Sequence, residues 1–198
     1  MLENLRFKIE PITNKISLKL SKLGITPTML SVLAIIFSII SGFFYSNLVQ
    51  FNINNVIQNQ VLGAIFLLIT GLFDMLDGSL ARITKKTSSK GAFIDSTFDR
   101  ITEIIIYSGL LLGQYAEPIL IFFAITLSML VSYSRTKAEA INVDLRGIGI
   151  AERSERILIL CFFSFINEIR YAIIIIIILS SITFIQRFQK VLSTLNKN

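Results

Sequence analysis

Four of the five aspartates in the chain, Asp74, Asp77, Asp95 and Asp99, fall within 26 residues of one another. Asp74 and Asp77 are three positions apart and Asp95 and Asp99 four, so on helices each pair projects from a single face. Two such pairs on neighbouring helices point four carboxylates into one pocket, where they repel each other unless a cation joins them. Oxygen-only ligands suit hard divalent cations such as magnesium, manganese or calcium rather than zinc or copper. With room for two ions, such a site resembles the two-metal arrangement used for phosphoryl transfer. Gly78 and Gly91 fit this chemistry, because a side chain at either would crowd a nucleotide or the partner helix. Arg82, one turn beyond Gly78, is a fixed positive fork suited to a phosphate or a carboxylate. The plainer alternative is a wet loop of ion pairs with Lys85, Lys86, Lys90 and Arg100. The helical register of the acids speaks against it, since a solvated face seldom orders its acids that way.

The elements that must position these acids lie in an oily chain. Of 198 residues, 53% are hydrophobic and only 16% charged, with a mean hydropathy of +0.71. An ordinary soluble domain carries about 25% charged residues, so an all-α integral membrane protein is the expectation. The net charge of +6 is read as membrane topology and not as nucleic-acid binding. The absence of histidine excludes His-based triads, bases and metal ligands. The single cysteine, Cys161, excludes an internal disulfide and any multi-cysteine zinc site.

A bilayer core needs roughly 20 mostly apolar residues per helix. Six stretches qualify: Thr28 to Asn47, Val56 to Leu80, Gly91 to Gly113, Pro118 to Ala138, Ile150 to Ile166 and Tyr171 to Gln186. The fifth is the weakest, with Arg153, Glu155 and Arg156 at its wet end. Threading six spans puts eighteen of the nineteen Lys and Arg residues on one side, leaving Arg170 alone on the other. That split predicts both termini, and the aspartates, on the cytoplasmic face. Before the first span, Pro11 to Leu23 carries Ile12, Ile16, Leu20 and Leu23 on one face and Lys15, Lys19 and Lys22 on another. This spacing predicts an amphipathic helix in the headgroup region. The chain therefore divides into a juxtamembrane segment, 1–24, and a six-helix membrane domain, 25–198. Ser46 to Gln60 reads as an outer loop without chemistry.

The run Asp74-Met-Leu-Asp77-Gly78-Ser-Leu-Ala81-Arg82, eight further residues, then Gly91-Ala-Phe-Ile-Asp95-Ser-Thr-Phe-Asp99 matches the signature of the CDP-alcohol phosphotransferase family at every fixed position and in spacing. At residue frequencies of roughly 5 to 9%, eight coincidences come to about 10⁻⁹ per window. The six-span architecture with an interfacial N-terminal helix also resembles the family, so the likeness covers essentially the whole chain. It implies a metal-dependent exchange in which an alcohol attacks the β-phosphorus of a CDP-linked lipid (CDP-archaeol or CDP-diacylglycerol) and CMP leaves. By family pattern Asp74, Asp77, Asp95 and Asp99 hold two Mg²⁺ ions, with Mn²⁺ a possible substitute, and Asp99 also takes the proton of the attacking hydroxyl. Gly78, Arg82 and Ser88 would contact the CDP moiety, as would Pro27, Thr28 and Ser31 at the start of the first span. A homodimer among membrane lipids is the expected assembly.

Ser132-Tyr-Ser-Arg135-Thr-Lys137-Ala-Glu139, followed by Gly147 to Arg156, looks like the branch of the family that makes inositol-phosphate lipids, and the run through Gly24-Ile-Thr-Pro27 like its archaeal members. On the residues alone, Arg135, Lys137, Arg153 and Arg156 lie at the cytoplasmic ends of two spans and form a set suited to an acceptor phosphate such as that of inositol 1-phosphate. The same cations also read as ordinary flanks facing anionic headgroups. Glycerol 3-phosphate or serine remains open as acceptor. An intramembrane prenyltransferase predicts a second Asp-rich motif, whereas only Asp144 follows Asp99. A non-catalytic membrane module would show no CMP exchange.

Overall fold

The computed structural model describes residues 3–48, 55–85, 88–145 and 147–196. Lys86, Arg146, Lys197 and the part 49–54 of the expected outer loop lie outside them. Among the described residues the secondary structure is helical throughout: α1 (Glu3–Lys22), α2 (Pro27–Tyr45), α3 (Asn55–Ile83), α4 (Ser89–Leu112), α5 (Pro118–Ala140), α6 (Arg153–Phe165) and α7 (Ile169–Leu195). Four of them, α2, α3, α5 and α7, are long and apolar enough to cross a membrane, so the chain is a membrane protein. α4 carries Lys90, Asp95, Asp99 and Arg100 in its first half and Glu103 just beyond it. α6 has 13 residues, about 20 Å at 1.5 Å per residue.

The chain forms two compact units, Met1–Gly113 and Gln114–Asn198. In the first, α1 runs through Pro11 and ends in a Schellman turn, with Ile25 N–H bonded to Leu20 O at 3.2 Å. Gly24 takes the left-handed position there, φ +77°, where glycine carries no Cβ penalty. Thr26 then caps α2 by accepting from Met29 N–H, and Pro27 opens the helix, a position where its missing N–H is harmless. Thr13 and Ser17 on α1 are buried, whereas Ile12 and Leu23 are 60% and 76% exposed. Ser17 Oγ bonds to Leu76 O at 3.4 Å and Ser79 Oγ to Asn14 Oδ1 at 2.8 Å. These contacts clamp α1 onto α3 on either side of Asp77.

Both α3 and α4 pack on α2, so α2 sets the separation of the two carboxylate pairs. Its contacts are those of small residues, as membrane helices favour. Ser41 Oγ donates to Gly63 O at 2.7 Å, and the Tyr45 ring lies over Gly63, where an added Cβ would stand 2.9 Å from it. At the α2–α4 crossing, a Cβ on Gly109 would run into the backbone of Gly42. Leu30, Leu76 and Leu80 form a core cluster closed by Leu20, Ile25 and Phe73. Phe73, Phe37, Phe66 and Phe44 stack in series, with centroids 5.3, 6.0 and 5.5 Å apart. Gly109→Leu should therefore push α4 off α2 and lower the thermal midpoint in detergent, overpacking of this kind costing about 1–3 kcal/mol or more. An unchanged midpoint by circular dichroism would refute this account of the crossing.

In the second unit α5 and α6 both pack on α7. Glu117, just before α5, accepts two bonds from Arg170 at 3.1 and 2.6 Å, and that guanidinium holds its carboxyl below the usual carboxylate range. The segment 150–152 is not helical: Thr183 Oγ1 on α7 accepts from the N–H groups of Ile150 and Ala151 at 3.1 and 3.0 Å. This delays α6 to Arg153, three residues after the expected start. At the other end α7 continues past Gln186 to Leu195.

Candidate active site

The carboxylate pairs arrive on the C-terminal half of α3 and the N-terminal half of α4. Ser88 starts α4 by accepting from Gly91 N–H at 3.0 Å, the usual service of a serine N-cap. One turn later Asp95 and two turns later Asp99 reach the site. One carboxylate oxygen each of Asp74, Asp95 and Asp99 lie within 4.8 Å of one another. Asp95 is exposed and the other two are half-buried. Ionised carboxylates accept hydrogen bonds but donate none, so three at this distance fit a hard divalent cation with oxygen ligands.

Asp77 stands outside this trio. It is 5% exposed, and its Oδ2 accepts from Ser31 Oγ of α2 at 2.6 Å. Asp77 nonetheless lies within electrostatic reach of Asp74 and Asp95. Of the two reasons for a glycine at position 78, crowding of a neighbouring helix is not the one found. The nearest atom to a Cβ there is Arg82 Nη1 at 3.5 Å, so the space beside Gly78 is lined by its own helix. Arg82 is exposed. Pro27 and Thr28 lie in the first turn of α2, one turn before Ser31.

The sequence passed over a further acid. Glu103 continues the Asp95, Asp99 series at four-residue spacing on α4 and is buried, 6% exposed. The spacing was its available signal.

Of the expected acceptor cations, all in the second unit, Lys137 and Arg135 are exposed, Arg153 is half-buried and Arg156 buried. Arg135 Nε donates to Glu139 at 3.1 Å, and its Nη1 stands 3.9 Å from Glu152 Oε1. Arg156 turns inward, Nη1 donating to Ala151 O at 2.8 Å. Arg187, one of the eighteen basic residues that the six-span threading puts on one side, is 2% exposed. It donates to Ile148 O at 2.9 Å, Val131 O at 2.9 Å and Glu152 Oε1 at 3.0 Å. Glu152 thus gathers Arg135 and Arg187, while Arg156 and Thr183 hold the loop that precedes α6.

A membrane-embedded helical chain with an Asp trio closed by two helices, and a fourth Asp held beside it, defines a class. The model of the CDP-alcohol phosphatidyltransferase family matches residues 24–186, and the chain belongs to that family. It is accordingly an enzyme, a transferase of phospholipid biosynthesis acting on a CDP-alcohol. Among its relatives, the archaetidylinositol phosphate synthase of Pyrococcus horikoshii is 38% identical over 188 residues, 94% of either chain. Among solved structures, the phosphatidylinositol phosphate synthase of Mycobacterium tuberculosis with CDP-DAG bound is similar at TM-score 0.77 and 25% identity, over 91% of this chain and 94% of that one. The same enzyme in complex with manganese and citrate is similar at TM-score 0.76 and 25% identity, over 90% and 88% of the two chains.

Proposed function

We propose that the chain transfers the lipid-phosphate group of a CDP-linked lipid, CDP-archaeol or CDP-diacylglycerol, to 1L-myo-inositol 1-phosphate and releases CMP. The observation that carries this reading is the carboxylate trio of Asp74, Asp95 and Asp99 in a chain of this family. The names of the similar synthases support the acceptor. Asp74, Asp77, Asp95 and Asp99 would hold two divalent ions, Mg²⁺ with Mn²⁺ as substitute, a choice favoured by the manganese complex of the mycobacterial enzyme. When bound, such ions supply Lewis-acid neutralisation of the diphosphate. The chain's own groups do the rest. Asp99 takes the proton of the attacking hydroxyl, because an alcohol is a weak nucleophile until a base is within hydrogen-bond reach. The hydroxyl oxygen forms its bond to the β-phosphorus as the bond from that phosphorus to the CMP oxygen breaks. Arg82 offsets the charge of the departing phosphate. Gly78 leaves room for the nucleotide, and the start of α2 (Pro27, Thr28) and Ser88 border it.

Arg135, Lys137, Arg153 and Arg156 are assigned to the acceptor phosphate. A dianion entering beside a diphosphate needs local positive charge, which a free alcohol does not. In the membrane, α2 to α7 form six spans with α4 and α6 completed by polar ends, and both termini and the site face the cytoplasm, as the basic residues favour. α1 lies in the headgroup layer, its exposed Ile12 and the Leu23 that follows it toward the acyl chains.

CMP release by the purified enzyme, measured with CDP-lipid and a panel of inositol 1-phosphate, inositol, glycerol 3-phosphate and serine, tests the class and ranks the acceptors together. Each charge-assisted contact is worth roughly 1.5–3 kcal/mol, so Arg153→Ala should raise the acceptor KM about ten-fold or more and leave the CDP-lipid KM nearly unchanged. Lys85→Ala, on the exposed turn after α3, controls for a general loss of positive field. Equal use of inositol and inositol phosphate, or an Arg153→Ala effect confined to CDP-lipid, would point to flanking charge instead.

A further inference from the structure

We infer that Thr183 is a positioning residue for acceptor recognition, fastening the entry to α6, and with it Arg153, onto α7; the inference rests on the assignment of the acceptor phosphate given above. The Thr183 side chain is 0% exposed, so it meets no ligand itself. Its Oγ1 accepts from Ile150 N–H at 3.1 Å and from Ala151 N–H at 3.0 Å, which uses both lone pairs of the hydroxyl oxygen. Its methyl stands against Gly149, whose φ of +114° lies in the region that favours glycine. An added Cβ there would run into Thr183 Cγ2. One side chain thus meets three consecutive residues, 149 to 151, immediately before the N-cap residue Glu152.

That grip bears on where the cations stand. Arg187, one turn further along α7, donates to Ile148 O in the same loop and to Val131 O on α5, and Arg156 closes on Ala151 O. α5 carries Arg135 and Lys137 and packs along α7, as α6 does. α7 is therefore the common base on which both pairs of acceptor cations are placed. Thr183 differs from Arg156 and Arg187 in being neutral, so replacing it alters geometry without altering charge. Ala151 is 0% exposed, which puts its N–H out of reach of water. A buried donor that loses its acceptor carries its full desolvation cost, and the loop must move to relieve it. Arg153, two residues on, moves with the loop.

The test is CMP release by the purified enzyme, with inositol 1-phosphate varied at saturating CDP-lipid and the reverse, on wild type, Thr183→Val, Thr183→Ser and Arg153→Ala. Valine keeps the branched shape against Gly149 and removes the acceptor oxygen, whereas serine keeps the oxygen and removes the methyl. A misplacement of about 1 Å in a positioning element can cost about 10²-fold, so Thr183→Val should raise the acceptor KM by about ten-fold or more. Its CDP-lipid KM should stay close to wild type, and amide hydrogen exchange over 150–151 should quicken. Thr183→Ser should keep the wild-type acceptor KM. An unchanged acceptor KM in Thr183→Val beside a raised one in Arg153→Ala would overturn the inference and leave the acceptor assignment standing. Equal loss in Thr183→Val and Thr183→Ser would overturn it in favour of a packing role, and so would a Thr183→Val effect on both KM values alike. If neither Thr183→Val nor Arg153→Ala moves the acceptor KM, the acceptor assignment itself falls, and this inference with it.

Discussion

Asp95→Asn is expected to abolish CMP release, by more than about 10³-fold, and to do so without unfolding the helices. Lewis-acid stabilisation of a phosphoryl transition state is worth several kcal/mol, and each 1.36 kcal/mol is about ten-fold in rate. Asp95 is the exposed member of the trio, at the end of α4 away from the Gly42–Gly109 crossing, so an isosteric amide there disturbs little packing. The charge argument gives a second readout. Three ionised carboxylates within 4.8 Å of one another repel in the metal-free protein. Asp95→Asn relieves part of that repulsion and removes a ligand. In chelator the variant should melt at or slightly above the wild-type midpoint, and the stabilisation that Mg²⁺ confers by binding the folded state should vanish. Full activity in chelator, or in this variant, would rule out the metal site. A midpoint that falls sharply in chelator would mean that Asp95 holds the fold together in some other way.

What the sequence made legible here is what local geometry determines. The acids at i, i+3 and i, i+4 share a helix face whatever else the chain does, and two helices bearing such pairs had to bring some of them together. Long apolar runs likewise announced α2, α3, α5 and α7. The features that escaped depend on contacts between distant residues. Ser31 and Asp77 are 46 positions apart, and only the register of α2 against α3 makes them partners. Arg187 was counted only as one of the basic residues on the cytoplasmic side. It is buried because Val131, Ile148 and Glu152, from 35 to 56 positions away, supply acceptors for its guanidinium. The late start of α6 has the same origin, since Thr183 competes for the backbone N–H groups of Ile150 and Ala151. Ser88 was a local signal read for chemistry alone. A serine three residues before Gly91, at the head of a helix, is also an N-cap, and its hydroxyl oxygen is engaged in that bond.

Asp99→Asn is the second large effect expected, and it separates proton transfer from ion binding. Asp99 sits on the face of α4 that carries Asp95 one turn earlier, half-buried, with an oxygen in the trio. A ligand to a cation and a base for a neighbouring hydroxyl are compatible roles for one carboxylate, since its two oxygens carry about four lone pairs. General base catalysis contributes about 10²–10⁴-fold, so turnover should fall by at least that much at saturating substrate and ion. Asparagine keeps the shape and one neutral oxygen ligand but cannot take the proton, so binding of CDP-lipid should survive better in Asp99→Asn than in Asp77→Asn. The comparison is made by equilibrium binding of the CDP-lipid in Mn²⁺, alongside single-turnover release of CMP. A variant that binds donor and ion but does not release CMP places the loss in the chemical step. Equal failure of donor binding in both variants would leave Asp99 as a metal ligand only, and the base would then have to be sought among the other carboxylates facing the acceptor hydroxyl.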